Sequence, residues 1–145
     1  MIQQLETLSN EEKALVLKAP VLVSVLAACS YNEVNETRKK DAIKLAHLKT
    51  FTADPLLLSY YQEVEKHFEE QFDATAATYF PFDDSKRRQL KEEISRVENA
   101  ISKLDSLYAE RLRNSLQRYA NHVKQSTHSV FQDFLFPLPI KGLSD

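Results

Sequence analysis

Three side chains that can bind metals lie at helical spacing in the middle of the chain. Glu63, His67 and Glu70 are four and three residues apart, so a helix would bring them to one side. A carboxylate together with an imidazole suits zinc or iron. The three side chains fall on the flank of an apolar series, however, where a helix faces water. The pattern favours a solvated charged face over a metal site.

A second pair of carboxylates, Glu33 and Glu36, lies in a short polar connection. Such oxygen atoms could bind Ca²⁺ or Mg²⁺, but the several alternating ligands and central glycine of a calcium-binding loop are missing. An acidic residue at the start of a helix is also favoured by the helix dipole. The pair therefore favours a plain helix start. No cofactor is predicted, and a divalent metal stays open only as an alternative.

The candidate nucleophiles and bases do not form a recognisable catalytic set. Cys29 closes an apolar segment, and thiols buried in apolar surroundings are inert. His47 fits the edge of a core better than a general base, and His122 and His128 show no ligand spacing. No catalytic residue is predicted.

Composition excludes several classes of function. The chain of 145 residues has one glycine, so glycine-rich phosphate loops of the Walker or dinucleotide type are excluded. A net charge of −2 disfavours nucleic acid as a partner. The single cysteine allows no internal disulfide. The first residues have neither the basic start nor the apolar run typical of a signal peptide, and no run is long enough to predict a membrane span. We expect a cytoplasmic protein without membrane insertion.

The uncharged segment at residues 19–29 organises the rest of the chain. Its only polar side chain apart from the cysteine is Ser24, and a helix that is apolar on all sides belongs in the centre of a core. Charged, amphipathic segments flank it on both sides. We therefore predict an all-α, compact single-domain bundle of about six to seven helices around a central apolar helix at about 20–30.

Capping and proline signals predict the helix boundaries. Ser9 and Glu12 form a capping box, so a first helix begins near Asn10. Pro20 is expected to end that helix by moving Ala19 out of helical geometry, and to begin the apolar helix, which runs to about Ser30. The next predicted helix spans about 36–51, and its inward residues are Ile43, Leu45, Ala46, Leu48 and Phe51. A single helix is predicted after Asp54-Pro55 through Phe72. Two further helices are predicted, one capped near Asp83 and one that begins after Asp105.

Apolar positions and the end of the chain complete the prediction. Leu57, Tyr61, Val64, Phe68 and Phe72 form one apolar series at helical spacing. A short segment near 130–135 and a proline-punctuated tail from about 136 close a single domain at 1–145. The apolar residues of this end are Phe131, Phe134, Leu135, Phe136, Leu138 and Ile140, which either pack on the domain or mark a partner surface.

Several segments together resemble the TerB-like helical domains, which are named for tellurite-resistance operons and are common in bacteria. The resemblance rests on Leu-Ser-Asn-Glu-Glu-Lys-Ala-Leu at 8–15 with Lys-Ala-Pro at 18–20, Asn-Glu-Val-Asn-Glu at 32–36, and Phe-Thr-Ala-Asp-Pro-Leu at 51–56. Tyr-Phe-Pro at 79–81 and Lys-Leu-Asp at 103–105 lie where similar segments are expected. The resemblance implies a compact all-α domain and an association with stress-response systems. It implies no established catalytic reaction.

This chain departs from the family at the loop where such domains often carry an Asp-Gly-Glu-Ile type sequence with acidic residues proposed to bind metal. Here the loop reads Tyr31-Asn32-Glu33-Val34. Asn32 can replace the glycine because asparagine tolerates left-handed geometry. Tyr31 cannot replace the aspartate as a ligand, so only Glu33 carries over.

Two functions from different classes follow from these observations. The first is a non-enzymatic module that acts through protein contacts, with a protein partner or a second copy of itself. The alternative is a metal- or small-molecule-binding domain, or an enzyme with a site between helices. A surface patch would favour the first, and a cavity lined by convergent polar side chains the second.

Overall fold

A computed structural model describes residues 2–125, and its fold is all-α as predicted. A 3₁₀ turn at Gln3–Leu5 precedes the first helix, and a second at Pro55–Leu57 precedes the third. The predicted segment near 130–135 and the tail from about 136 lie outside the described residues. The described helices are α1 (Asn10–Ala28), α2 (Glu36–Thr52), α3 (Leu58–Glu65), α4 (Phe68–Tyr79), α5 (Asp84–Ile101) and α6 (Ser106–Lys124).

Helix α1 runs without interruption through Pro20, so the predicted break at this residue is wrong. Ala19 is helical and buried. Proline lacks the N–H that would bond the carbonyl four residues earlier, which in this helix belongs to Val16. The hydroxyl of Tyr60 in α3 donates to that carbonyl oxygen at 2.7 Å. A side chain from another helix thus replaces the hydrogen bond that the proline removes.

The second half of α1 lies at the centre of the molecule, which confirms the predicted central apolar helix. Helix α1 as a whole packs against each of the other five described helices. Val21, Leu22 and Val25 are buried, while Val23 and Leu26 are half-buried. The hydroxyl of Ser24 is buried and has no hydrogen-bond partner among the described residues.

A two-stranded hairpin joins α1 to α2, so the apolar helix ends at Ala28 and not at about Ser30. Strand β1 (Cys29–Ser30) pairs antiparallel with β2 (Glu33–Val34). Asn32 adopts the left-handed conformation that its sequence position predicts, with φ of 67°. The side chain of Asn35 accepts a hydrogen bond from the Arg38 backbone N–H at 3.0 Å and caps α2, as predicted.

Helix α2 faces the core with small residues, and the prediction that Leu48 and Phe51 point inward is wrong. Ala42 and Ala46 are buried, whereas Leu48 is 37% exposed and Phe51 is 62% exposed. Leu48 follows Ala46 by two residues, about 200° around a helix, and therefore points away from the core. The hydroxyl of Tyr119 donates to the Ala42 carbonyl at 2.6 Å, which fixes this face of α2 against α6.

The segment after Asp54-Pro55 starts where predicted but is not a single helix. The Asp54 side chain caps it by accepting from the Leu56 N–H at 2.9 Å. The chain then forms the 3₁₀ turn, α3 and α4, with a break at Lys66 and His67. The predicted apolar series at 57, 61, 64, 68 and 72 is buried throughout.

Helices α5 and α6 begin at predicted caps. The Asp83 side chain accepts from the Lys86 N–H at 2.8 Å, and that of Asp105 accepts from the Tyr108 N–H at 3.2 Å. The predicted break near Asp105 is therefore confirmed. Within residues 2–125, no helix combines the length and the apolar character that crossing a bilayer requires.

Candidate functional site

The ends of four helices meet around an open pocket of about 510 Å³ at the hairpin, which we call the hairpin pocket. The C-terminal end of α1, the first turns of α2 and α5, and the last residue of α6 supply its walls together with β1 and the hairpin turn. The lining residues are Leu26, Ala27, Cys29, Ser30, Tyr31, Arg38, Phe82, Asp83, Asp84, Arg87 and Lys124.

Two arginines bind the C-terminal end of α1 from opposite parts of the sequence. Arg38 donates from Nη1 to the Ala27 carbonyl at 2.6 Å, and Arg87 donates from Nη1 to the Cys29 carbonyl at 3.0 Å. Carbonyls at a helix end lack partners within the helix, so both guanidinium groups satisfy backbone acceptors. Each guanidinium carries five donors in a planar fork. Arg38 Nε is buried and bonds no described residue.

The positive charges of the pocket are not paired within the described part of the chain. Arg38, Arg87 and Lys124 form no salt bridge with any carboxylate of residues 2–125. Asp83 also lines the pocket, but its side chain is engaged as the cap of α5. Asp84 is exposed in the first turn of α5, where the helix dipole favours an acid. The pocket therefore presents guanidinium and ammonium donors to a negatively charged group.

Aromatic rings line the hairpin pocket or lie against its lining residues. Tyr31, at the tip of the hairpin, is 64% exposed, and Phe80, before α5, is 52% exposed. The Phe80 ring meets the buried ring of Phe82 edge to face, with centroids 6.3 Å apart. Exposed aromatic side chains are enriched at protein interfaces. The hairpin pocket thus combines apolar contact area with positive charge.

Cys29 lies in the pocket wall but is buried, as its sequence position predicts. Burial raises the pKa of the thiol to about 12, although the nearby charge of Arg87 acts in the opposite direction. The thiolate is the nucleophilic form, so this group is held in its unreactive state at neutral pH.

We expect Cys29 to react slowly with a thiol reagent such as dithionitrobenzoate in the native protein at pH 8. The thiolate fraction there is on the order of a thousandfold lower than for a free cysteine. Absorbance of the released thiolate measures the rate, and the same protein in urea should react fully and fast. Rapid stoichiometric reaction of the native protein would contradict the burial of this thiol.

The structure places the loop carboxylates Glu33 and Glu36 on the surface without building a site around them. Glu33 lies in β2 and Glu36 in the first turn of α2, and both are exposed. Among the described residues, no group of three or more His, Cys, Asp or Glu side chains is arranged to hold a metal ion.

The helical candidates Glu63, His67 and Glu70 are also exposed, and the structure brings only two of them together. His67 Nδ1 lies 3.3 Å from Glu70 Oε1, while Glu63 instead binds Lys66 at 3.1 Å. The chain bends at His67 between α3 and α4, so the three do not share one helix. His47, predicted at the edge of the core, is exposed and contacts Glu65.

The most deeply buried titratable groups serve the fold. The hydroxyls of Tyr60 and Tyr119 donate to the carbonyls of Val16 and Ala42. The hydroxyl of Tyr61 hydrogen-bonds that of Ser115, with the two oxygens 2.6 Å apart. Burial raises the pKa of Tyr60 and Tyr119 well above the usual value, so both remain neutral donors. These hydroxyls join helices that are distant in sequence, and none of the three tyrosines lines the hairpin pocket.

Sequence reasoning did not identify the hairpin pocket. The triplets Arg38-Lys-Lys40 and Lys86-Arg-Arg88 were visible as basic runs, yet nothing in their local pattern shows that one arginine of each reaches the same helix end. Comparisons with protein-family profiles, curated proteins and solved structures find no match to this chain.

Proposed function

We propose that this protein is a non-enzymatic helical module that binds an acidic segment of a partner protein at the hairpin pocket. One observation carries the proposal: the exposed ring of Tyr31 lines a pocket whose cations Arg38, Arg87 and Lys124 have no described carboxylate partner. The exposed ring of Phe80 lies against Phe82, a further lining residue. Aromatic residues and arginine are the residue types that dominate binding energy at protein interfaces. Carboxylates of the partner would accept from the guanidinium and ammonium donors.

The test uses a fluorescein-labelled peptide of six glutamates flanked by leucines, with anisotropy as the signal. We expect saturable binding that weakens as salt is added, because exposed charge pairs are screened. Tyr31→Ala should weaken binding about tenfold or more, as for an interface hot spot. Lys124→Gln should weaken it by about two- to fivefold, as for an exposed ion pair.

Two controls make this test specific. The same peptide with glutamine in place of glutamate should bind far more weakly, and Lys91→Gln, which removes an exposed charge of α5 outside the pocket, should bind as the wild type does. The proposal is wrong if the acidic peptide does not saturate, or if Tyr31→Ala and Lys124→Gln bind it as tightly as Lys91→Gln.

The volume of the pocket favours a second candidate, a small anionic molecule. About 510 Å³ lies within the range of roughly 300–1,000 Å³ typical of small-molecule sites. Citrate serves as the probe, measured by calorimetry. Binding of citrate without binding of the acidic peptide would replace the protein partner by this alternative.

We further propose, on the sequence resemblance, that the chain is a divergent TerB-like domain in a bacterial stress-response setting and acts in the cytoplasm. The helical fold and the free thiol of Cys29 are compatible with this proposal. The loop of the resemblance corresponds to the turn at Tyr31 and Asn32, which borders the hairpin pocket. In this member the loop would therefore contact a partner and not a metal.

A further inference from the structure

A second concave surface, separate from the hairpin pocket, lies between α1, α5 and α6. This groove has a volume of about 290 Å³, and we call it the α1/α5/α6 groove. Its apolar lining includes Val23 of α1, Ile94 and Val97 of α5, and Leu116 and Ala120 of α6. An apolar cavity of roughly 150 Å³ holds a benzene molecule, so the groove can take about two aromatic or branched side chains.

The half-buried residues of the groove show that its apolar surface is incompletely covered within the described chain. Val23, Ile94 and Ala120 all retain solvent contact, although they adjoin the buried Val97. Arg113 and Glu98 form a salt bridge of 2.5 Å at the rim. Charged groups thus border an apolar floor, which is the arrangement of a surface that receives an apolar segment.

The chain itself supplies such a segment directly after α6. Six of the ten residues from Phe131 to Ile140 are apolar and large. Ala120 in the groove lies about 7 Å back along the helix from Gln125, whereas the six residues that lead to Phe131 can span about 20 Å. The chain after Gln125 is therefore long enough for Phe131 to reach the groove.

We propose that residues 126–145 bind in the α1/α5/α6 groove of the same chain, with phenylalanine side chains of the segment against Val23, Ile94 and Leu116. Covalent attachment gives the segment a high effective concentration at the groove. Docking would cover the apolar floor of the groove without occupying the hairpin pocket. This inference does not depend on the function proposed for the hairpin pocket.

The test is paramagnetic relaxation in the full chain. A nitroxide is attached to Ser129→Cys in a Cys29→Ala background, and methyl spectra are recorded with the label oxidised and reduced. We expect the methyl signals of Val23, Ile94 and Leu116 to lose most of their intensity when the label is oxidised. Replacement of Phe131, Phe134 and Phe136 by serine should restore these signals.

A groove variant and a mixed sample complete the experiment. Ala120→Glu places a charge in the groove and should also restore the signals, whereas Ala77→Glu on the exposed face of α4 should not. The inference is overturned if the oxidised label leaves the methyl signals of the groove unchanged, or if it weakens the Leu26 methyl signals at the hairpin pocket instead. It is also overturned if signals are lost only between labelled and isotope-enriched chains in a mixture, which would identify a second copy as the occupant.

Discussion

Leu22→Asp is expected to unfold the protein at room temperature. Leu22 is fully buried in α1, the helix that every other described helix contacts. The substitution removes a packed side chain, which costs about 2–5 kcal/mol. It also buries a carboxylate without a partner, which adds several kcal/mol or forces the group to take up a proton. Together these effects reach the total stability of an ordinary domain, about 5–15 kcal/mol.

Circular dichroism and urea titration measure this effect, with Leu48→Asp as the matched control. Leu48 is on a solvent-facing side of α2, so the same substitution there should cost about 1 kcal/mol or less. A Leu22→Asp protein that melts cooperatively at the wild-type temperature would show that α1 is not the centre of the core.

Tyr60→Phe has the second-largest expected effect, a loss of about 1–3 kcal/mol of unfolding free energy. The ring is retained, so packing changes little. The Val16 carbonyl is buried, and Pro20 gives it no N–H partner within α1. Removal of the tyrosine hydroxyl leaves this acceptor without a hydrogen bond, which costs more than a hydrogen bond is worth on average.

Urea titration of Tyr60→Phe measures this loss, and Tyr31→Phe is the matched control. The Tyr31 ring is exposed at the hairpin, where water can replace any hydrogen bond of its hydroxyl. We expect that control to stay within about 0.5 kcal/mol of the wild type. Equal stability of Tyr60→Phe and the wild type would mean that the Val16 carbonyl is satisfied in another way.

Local signals in the sequence were sufficient for most helix starts. Ser9 and Glu12 form the predicted capping box, with the Glu12 N–H 3.1 Å from Ser9 Oγ. Asn35, Asp83 and Asp105 cap their helices as predicted. These signals succeed because a cap bonds backbone groups two or three residues away, so the relevant information is local.

The predictions that failed depend on contacts between distant residues. Pro20 leaves the Val16 carbonyl without a donor in the helix. Tyr60, forty-four residues after Val16 in the chain, supplies a donor instead. The break between α3 and α4 has no proline or glycine, and no side chain caps the start of α4 at His67. Tertiary packing decides both features, and a local pattern does not contain it.

The hairpin pocket could not be predicted for the same reason. Arg87 and the Cys29 carbonyl are fifty-eight residues apart in sequence, and Lys124 comes from the end of a further helix. Each residue is an ordinary surface cation in its own segment. Only the meeting of four helix ends brings them to one pocket.

The central claim, that Tyr60 holds α1 continuous across Pro20, is tested most directly by a double-mutant cycle. Pro20→Ala returns an N–H to the helix, and this group can bond the Val16 carbonyl. We predict that the loss of unfolding free energy caused by Tyr60→Phe is smaller in the Pro20→Ala background than in the wild type, by about 1 kcal/mol or more. Such coupling is expected for residues that share one partner. Equal costs of Tyr60→Phe in the two backgrounds would contradict the claim.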